Sequence, residues 1–170
     1  MTEGNTMDRQ NIDDELSRSG AQELLTSPHL ARLAYIGKDG TPRVIPVAFF
    51  WTGDQVVIST ATTSPKVAAL SARPDVALTI DAGETPDQAR ALSIRGRASV
   101  EIVDGVPDEY LAGARRFLDA EAAAEFERNC RMMYDQMARI AITPHWVRYY
   151  DFGAGRLPRF LQDLAERNRS

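Results

Sequence analysis

Residues 56–80 read VVISTATTSPKVAALSARPDVALTI, and the order of patterns in this stretch decides the fold class. The β-branched run 56–60 predicts a strand, TATTSPK a polar turn, the alanine-rich segment a short helix, and DVALTI a second strand. Ser64 stands where a helix N-cap is expected, and Pro65 at the first helical position, where a missing N–H costs nothing. A lone helix thus joins two strands.

Upstream, residues 30–37, 42–51 and 55–60 are rich in β-branched and aromatic residues and are separated by the turn signals GKDGT and TGD, which predicts two tandem hairpins. In 42–51, Arg43, Ile45, Val47, Phe49 and Trp51 alternate with Val44, Pro46, Ala48 and Phe50, so both faces are largely apolar. That pattern predicts a central or barrel-forming strand. Pro46 cannot donate to a ladder, which implies a bulge or unpaired side, or else a plain edge strand.

Downstream, ALSIRGRASVEIV (91–103) alternates Leu92, Ile94, Ala98, Val100 and Ile102 against polar residues, as a strand with one core face does. Residues 107–137 read as one broken or two consecutive helices, with Tyr110, Ala114, Phe117 and Leu118 at helical spacing. RIAITPHWVRYYDF (139–152) returns to strand, and LPRFLQDLAERN makes a closing helix. At the other end, Asp13 or Asp14 caps a first helix through LSRSGAQELL, ended by Ser27 and Pro28, and residues 1–12 form a flexible arm. The expectation is a single α+β domain over 13–170, a mainly antiparallel barrel by its strand order, with a helical insertion at 107–137 and peripheral helices.

Composition narrows the function classes. The 170 residues carry a net charge of −4, and the 20 basic side chains are dispersed, which argues against nucleic acid as a partner. No run reaches the roughly 18 apolar residues of a membrane span and no basic-then-apolar leader opens the chain, so the expected compartment is the cytoplasm. The single Cys130 cannot form an internal disulfide, and with only His29 and His145 a structural zinc site is disfavoured. There is no G-x-S-x-G, no G-x-G-x-x-G after a strand and no P-loop.

What remains is the helix start at residue 64. Amides at a helix N-terminus point outward with partial positive charge, hydroxyls of Thr60, Thr62, Thr63 and Ser64 crowd the turn, and Lys66 lies in the first turn, where a cation opposes the helix dipole. Two readings stand: a solvated lysine after an ordinary turn, or an anion cradle. Arg95 and Arg97 have the same two readings, solvent or phosphate.

Over its whole length, 56–80 resembles the strand–turn–helix–strand segment of the flavin-dependent pyridoxamine 5'-phosphate oxidase family, and TPHWVRYYDFGAGRL is similar to that family's end strand. The resemblance implies an FMN-binding split β-barrel and a homodimer with the cofactor in a groove between subunits. It implies that Ser59, Thr60, Ser64, Pro65 and Lys66 form the phosphate turn, and that Arg43 with the backbone of Val44, Ile45, Pro46 and Val47 lies along the flavin. Tyr150 falls beside the ring of the partner subunit, and Arg156 on an arginine that meets substrate or cofactor. Pro65 stands where the oxidases have an arginine and Pro158 where they have a histidine, so the chain looks closer to the superfamily's flavin and deazaflavin reductases. The implied function is hydride transfer between FMN, or a deazaflavin, and a small organic substrate, with no catalytic side chain assigned. The alternative is a non-catalytic flavin or haem binder, for which His29 and His145 are the candidate axial ligands.

Overall fold

The computed structural model describes residues 6–168. Its strands are β1 (Ala31–Ile36), β2 (Pro42–Val47), β3 (Phe50–Trp51), β4 (Val56–Ala61), β5 (Asp75–Ala82), β6 (Arg90–Asp104) and β7 (Gln136–Asp151). Six helices accompany them: α1 (Arg9–Leu16), α2 (Ser19–Thr26), α3 (Pro65–Ala72), α4 (Asp108–Arg115), α5 (Ala120–Met133) and α6 (Arg159–Arg167). All seven strands form one antiparallel sheet in the order β2-β1-β5-β6-β7-β4-β3.

That order, taken with the chain path, closes the sheet. β2 and β3 are its two outermost strands, yet only Ala48 and Phe49 separate them in sequence. Three peptide units span at most about 11 Å, so the sheet must curl until its two edges nearly meet. The link itself is pinned. Phe49 is buried in the core, and the Arg116 guanidinium donates to the carbonyls of Phe49 at 2.6 Å, Leu25 at 3.0 Å and Ser27 at 3.1 Å. The same guanidinium lies 4.3 Å from the centre of the Phe49 ring, a cation–π contact. The two expected hairpins form, β1 with β2 and β3 with β4, but the expected strand 42–51 is cut at Ala48 and its halves lie on opposite rims. It is therefore an edge and not a central strand. Ile45 and Val47 pack on the core, whereas Val44 on the other face is 68% exposed.

Inside the barrel, Leu33, Ile58, Leu78, Ile80, Leu92, Ile94, Ile140 and Val147 form one continuous apolar cluster, closed from outside by Ile12, Leu16, Leu24 and Leu25 of the first two helices. Each fully buried aliphatic side chain contributes roughly 1.5–3 kcal/mol through removal from water. A bulge keeps β7 in phase with this core. Arg95 pairs with Trp146 and Gly96 with Pro144, so His145 is the extra residue, and Ile140 and Ile142 before it face the same side as Val147 and Tyr149 after it. Gly96 is required there: a Cβ would come within 2.7 Å of the Thr143 carbonyl oxygen and 2.8 Å of Ile142 Cγ2.

Several boundaries differ from expectation. Asp8 caps α1, accepting from the Asn11 amide at 2.8 Å, so residues 9–12 of the expected arm are helical and neither Asp13 nor Asp14 is the cap. Residues 1–5 of that arm lie outside the described residues. The segment 107–137 holds two helices and then the start of β7 at Gln136, with Leu111 and Gly113 rather than Phe117 on the buried face of α4. Cys130 is buried beside Val106, Leu111 and Met137, and burial raises its thiol pKa.

Candidate functional site

At the end of β4 the chain turns into α3, and the turn concentrates donors. Lys66 Nζ donates to Ser64 Oγ at 2.9 Å and to Thr60 Oγ1 at 3.3 Å, with no carboxylate partner among the described residues. Half-buried, its ammonium is pushed below the usual lysine range by desolvation. Ser64 occupies the N-cap but its side chain makes no capping bond, because its hydroxyl accepts from Lys66 instead. The first turn of α3 therefore lacks a side-chain cap. Hydroxyls, an under-neutralised ammonium and an uncapped helix start form a donor set that fits a phosphate.

This turn adjoins the free edge of β2. Arg43, Pro65, Lys38, Tyr35, Gly37 and Ala69 line one cleft of about 210 Å³. Arg43 donates to Asp39 Oδ2 at 2.7 Å, and Asp39 Oδ1 accepts from the Thr41 amide at 3.0 Å; the Thr41 bonds and the Arg43 guanidinium hold the Asp39 carboxyl well below the usual range. On its outer side β2 has no strand neighbour, so the backbone at Val44 and Pro46 faces a rim without a ladder. Ile45 and Val47 turn their side chains into the core. Lys38 was not legible as a site residue: within GKDGT it is a polar turn residue like any other.

Ser59 stands apart from Thr60. Thr60 shares its face of β4 with Val56 and Ile58, which belong to the core cluster; Ser59 shares the opposite face with Val57. Its hydroxyl oxygen is buried without a partner among the described residues, as is His145 Nδ1. No group of three potential metal ligands occurs among the described residues.

Tyr150 and Arg156 lie elsewhere. Thr60 pairs with Ala138 of β7, so Tyr150 is roughly 40 Å further along that strand, at about 3.3 Å per residue. There Tyr150, Arg148, Arg156 and α6 line a cavity of about 680 Å³. Arg156 is already engaged: it donates to both oxygens of Glu15, at 2.9 and 3.0 Å, and to the Tyr149 carbonyl at 3.2 Å. Glu15 also accepts from the Tyr149 amide at 2.7 Å and meets Arg148 at 3.6 Å and Arg18 at 3.8 Å.

The reason for this cluster is the strand edge. β4 pairs with β7 only as far as Ile142, and beyond it the outward backbone of β7 needs other partners. Met7 donates its amide to the His145 carbonyl at 2.8 Å, Met7 sulfur accepts from Val147 at 3.4 Å, and Glu15 takes the Tyr149 amide. Arg156 thus neutralises a carboxylate that finishes a sheet, at the end of β7 remote from the Lys66 turn of its own chain. Glu15 carried a signal in the sequence: with Ile12 and Leu16 it completes an i, i+3, i+4 stripe, where a charge is out of place unless paired.

The sequence profile described as pyridoxamine 5'-phosphate oxidase matches residues 19–151. Among solved structures, an F420 reductase is similar at 27% identity and a TM-score of 0.57, covering 76% of this chain and 97% of that one. A conserved hypothetical protein of Mycobacterium tuberculosis is similar at 21% identity and a TM-score of 0.58, covering 89% of both chains. A haem storage protein of Vibrio cholerae shares the fold at 15% identity and a TM-score of 0.54, covering 75% of this chain and 89% of that one. No curated protein matches significantly. No helix among the described residues is long and apolar enough to cross a membrane.

Proposed function

We propose, on the premise that this chain belongs to the pyridoxamine 5'-phosphate oxidase family, that it is an oxidoreductase using FMN or a deazaflavin to reduce or oxidise a small organic substrate. The observation that carries this reading is the turn at Thr60, Ser64 and Lys66, a donor cluster without a carboxylate, contiguous through Pro65 and Arg43 with the unpaired edge of β2. The phosphate is held by Lys66 and the two hydroxyls over the start of α3. Arg43 and the backbone of residues 44–47 orient the ring along the β2 rim. When bound, the flavin or deazaflavin ring supplies the hydride chemistry.

A single chain leaves the ring's outer side open, because Tyr150 and the Arg148 cavity are at the distant end of β7. Two copies of the chain complete the site, each offering Tyr150 to the other's ring. Within this scheme Ser59 contributes backbone only, and Arg156 is a positioning residue that fixes Glu15 and the end of β7. The reductase at 27% identity favours a deazaflavin as strongly as FMN.

The test is the absorbance spectrum of the purified protein and of protein titrated with FMN and with a deazaflavin. An oxidised flavin double band or a single deazaflavin band supports the proposal, and a Soret band supports haem storage instead. Protein that binds neither ring sinks the oxidoreductase reading. Lys66→Ala is expected to lose at least about tenfold in affinity, the usual scale for one charged hydrogen-bonding partner, with the fold intact by circular dichroism.

A further inference from the structure

The cleft between the β1–β2 turn and α3 holds a charge imbalance that the internal contacts leave standing. Lys38 and Arg43 line it and bring positive charge from the β1–β2 hairpin, Lys66 directly follows the lining residue Pro65 in α3, and Asp39 is the one carboxylate among the residues that line it. Asp39 is committed: its two oxygens accept from Thr41 and from Arg43. Lys38 makes no hydrogen bond or ion pair among the described residues. It sits in the tight turn 37–40, closed by the Gly40 amide on the Gly37 carbonyl at 2.9 Å, with Gly40 at φ 79°, so its backbone is fixed beside the cleft. Pro65 lines the same cleft and brings neither charge nor an N–H.

From this geometry we infer that Lys38 is a second phosphate-binding cation, reaching across the cleft to the anion that Lys66 holds from the helix side. The inference rests on the phosphate reading of the Lys66 turn and names a residue from a different element. Its consequence is that the bound anion joins the β1–β2 turn to the start of α3, whose far end already donates from Arg73 to the Gly37 carbonyl at 3.1 Å. Because position 65 lines the same cleft, a cation placed there can substitute for Lys38.

The test uses FMN, 5-deaza-FMN and riboflavin, titrated into full-length wild type, Lys38→Ala, Lys66→Ala and the double variant Lys38→Ala with Pro65→Arg. The measured quantity is the phosphate preference, the ratio of the riboflavin dissociation constant to that of the tighter phosphorylated ring. Lys38→Ala is expected to lower it about fivefold to tenfold with riboflavin binding and melting temperature unchanged, on the scale of one partly screened charged contact. The double variant is expected to recover most of that loss. If Lys66→Ala abolishes the preference while Lys38→Ala keeps the wild-type value, the role of Lys38 is refuted and the phosphate turn stands. If the wild type shows no preference, or Lys66→Ala leaves it unchanged, the underlying reading fails and this inference with it.

Discussion

At its Gln136 end β7 runs beside β4 and the turn that carries Lys66; at its Asp151 end it runs beside α1 and the carboxylate of Glu15. Both ends place a charged side chain where water is partly excluded, and they treat it in opposite ways. Glu15 receives the Tyr149 amide and two bonds from Arg156, with Arg148 and Arg18 within 4 Å. Lys66 receives two hydroxyl oxygens and no counter-charge, beside a helix whose N-cap side chain has been diverted from capping. A charge neutralised from within belongs to the architecture. A charge left under-neutralised beside a helix start without a side-chain cap and an open rim is where a ligand completes the structure.

The comparison can be broken most forcefully at Glu15. Glu15→Ala leaves the Arg156 guanidinium and the Tyr149 amide without their acceptor, so denaturant unfolding is expected to show a loss of about 3–5 kcal/mol. A loss below about 1 kcal/mol would make this end as dispensable as a surface ion pair. Next comes the bulge that divides the two ends. Gly96→Ala forces a Cβ against the Thr143 carbonyl and is expected to cost about 1–3 kcal/mol in the same assay.

At the other end the effects on stability shrink while those on ligand affinity grow. An N-cap serine usually contributes about 1 kcal/mol, but the Ser64 side chain makes no cap bond. Ser64→Ala should therefore change ligand-free stability by less than about 0.5 kcal/mol, and a full capping loss in calorimetry would show that the hydroxyl serves the helix after all. Lys66→Met gives the smallest shift and the opposite sign. Burial depresses the Lys66 pKa, so folding disfavours its protonated form; that penalty is fully present below the depressed value and vanishes above the unfolded value near 10.5. The variant is expected to melt slightly higher than wild type at pH 7 without ligand, with the advantage fading as pH rises from the depressed value and gone above 10.5.

The legible parts of this molecule were those whose causes are local. Ser64 and Pro65 announce α3 within two residues, and the alternation at Leu92, Ile94 and Ala98 announces β6, because one face of that strand is core along its length. The break at Ala48 was not legible, since VAFFW is apolar without interruption and only the closing of the barrel makes the chain change rims there. The phase shift in β7 was half visible: Pro144 marks an interrupted strand, but both halves of RIAITPHWVRYY are apolar enough to face inward. Of the candidate site, Thr60, Ser64 and Lys66 came together in one turn and Arg43 joined Pro65 in the adjoining cleft. Arg156 did not, because its partner Glu15 is 141 residues distant in the chain and no local pattern ties the two together.

The short passage through Ala48 and Phe49 also sets where this scaffold accepts new sequence. An added loop at Gly53 would merely lengthen an exposed turn at φ 107°, leaving every strand where it is. The same loop between β2 and β3 would slacken the one covalent tie that keeps the two rims of the sheet together, and release both strand edges to pair with other molecules. For circular permutation, domain insertion or tag placement, residues 48–49 are the hoop of the barrel and should stay uncut.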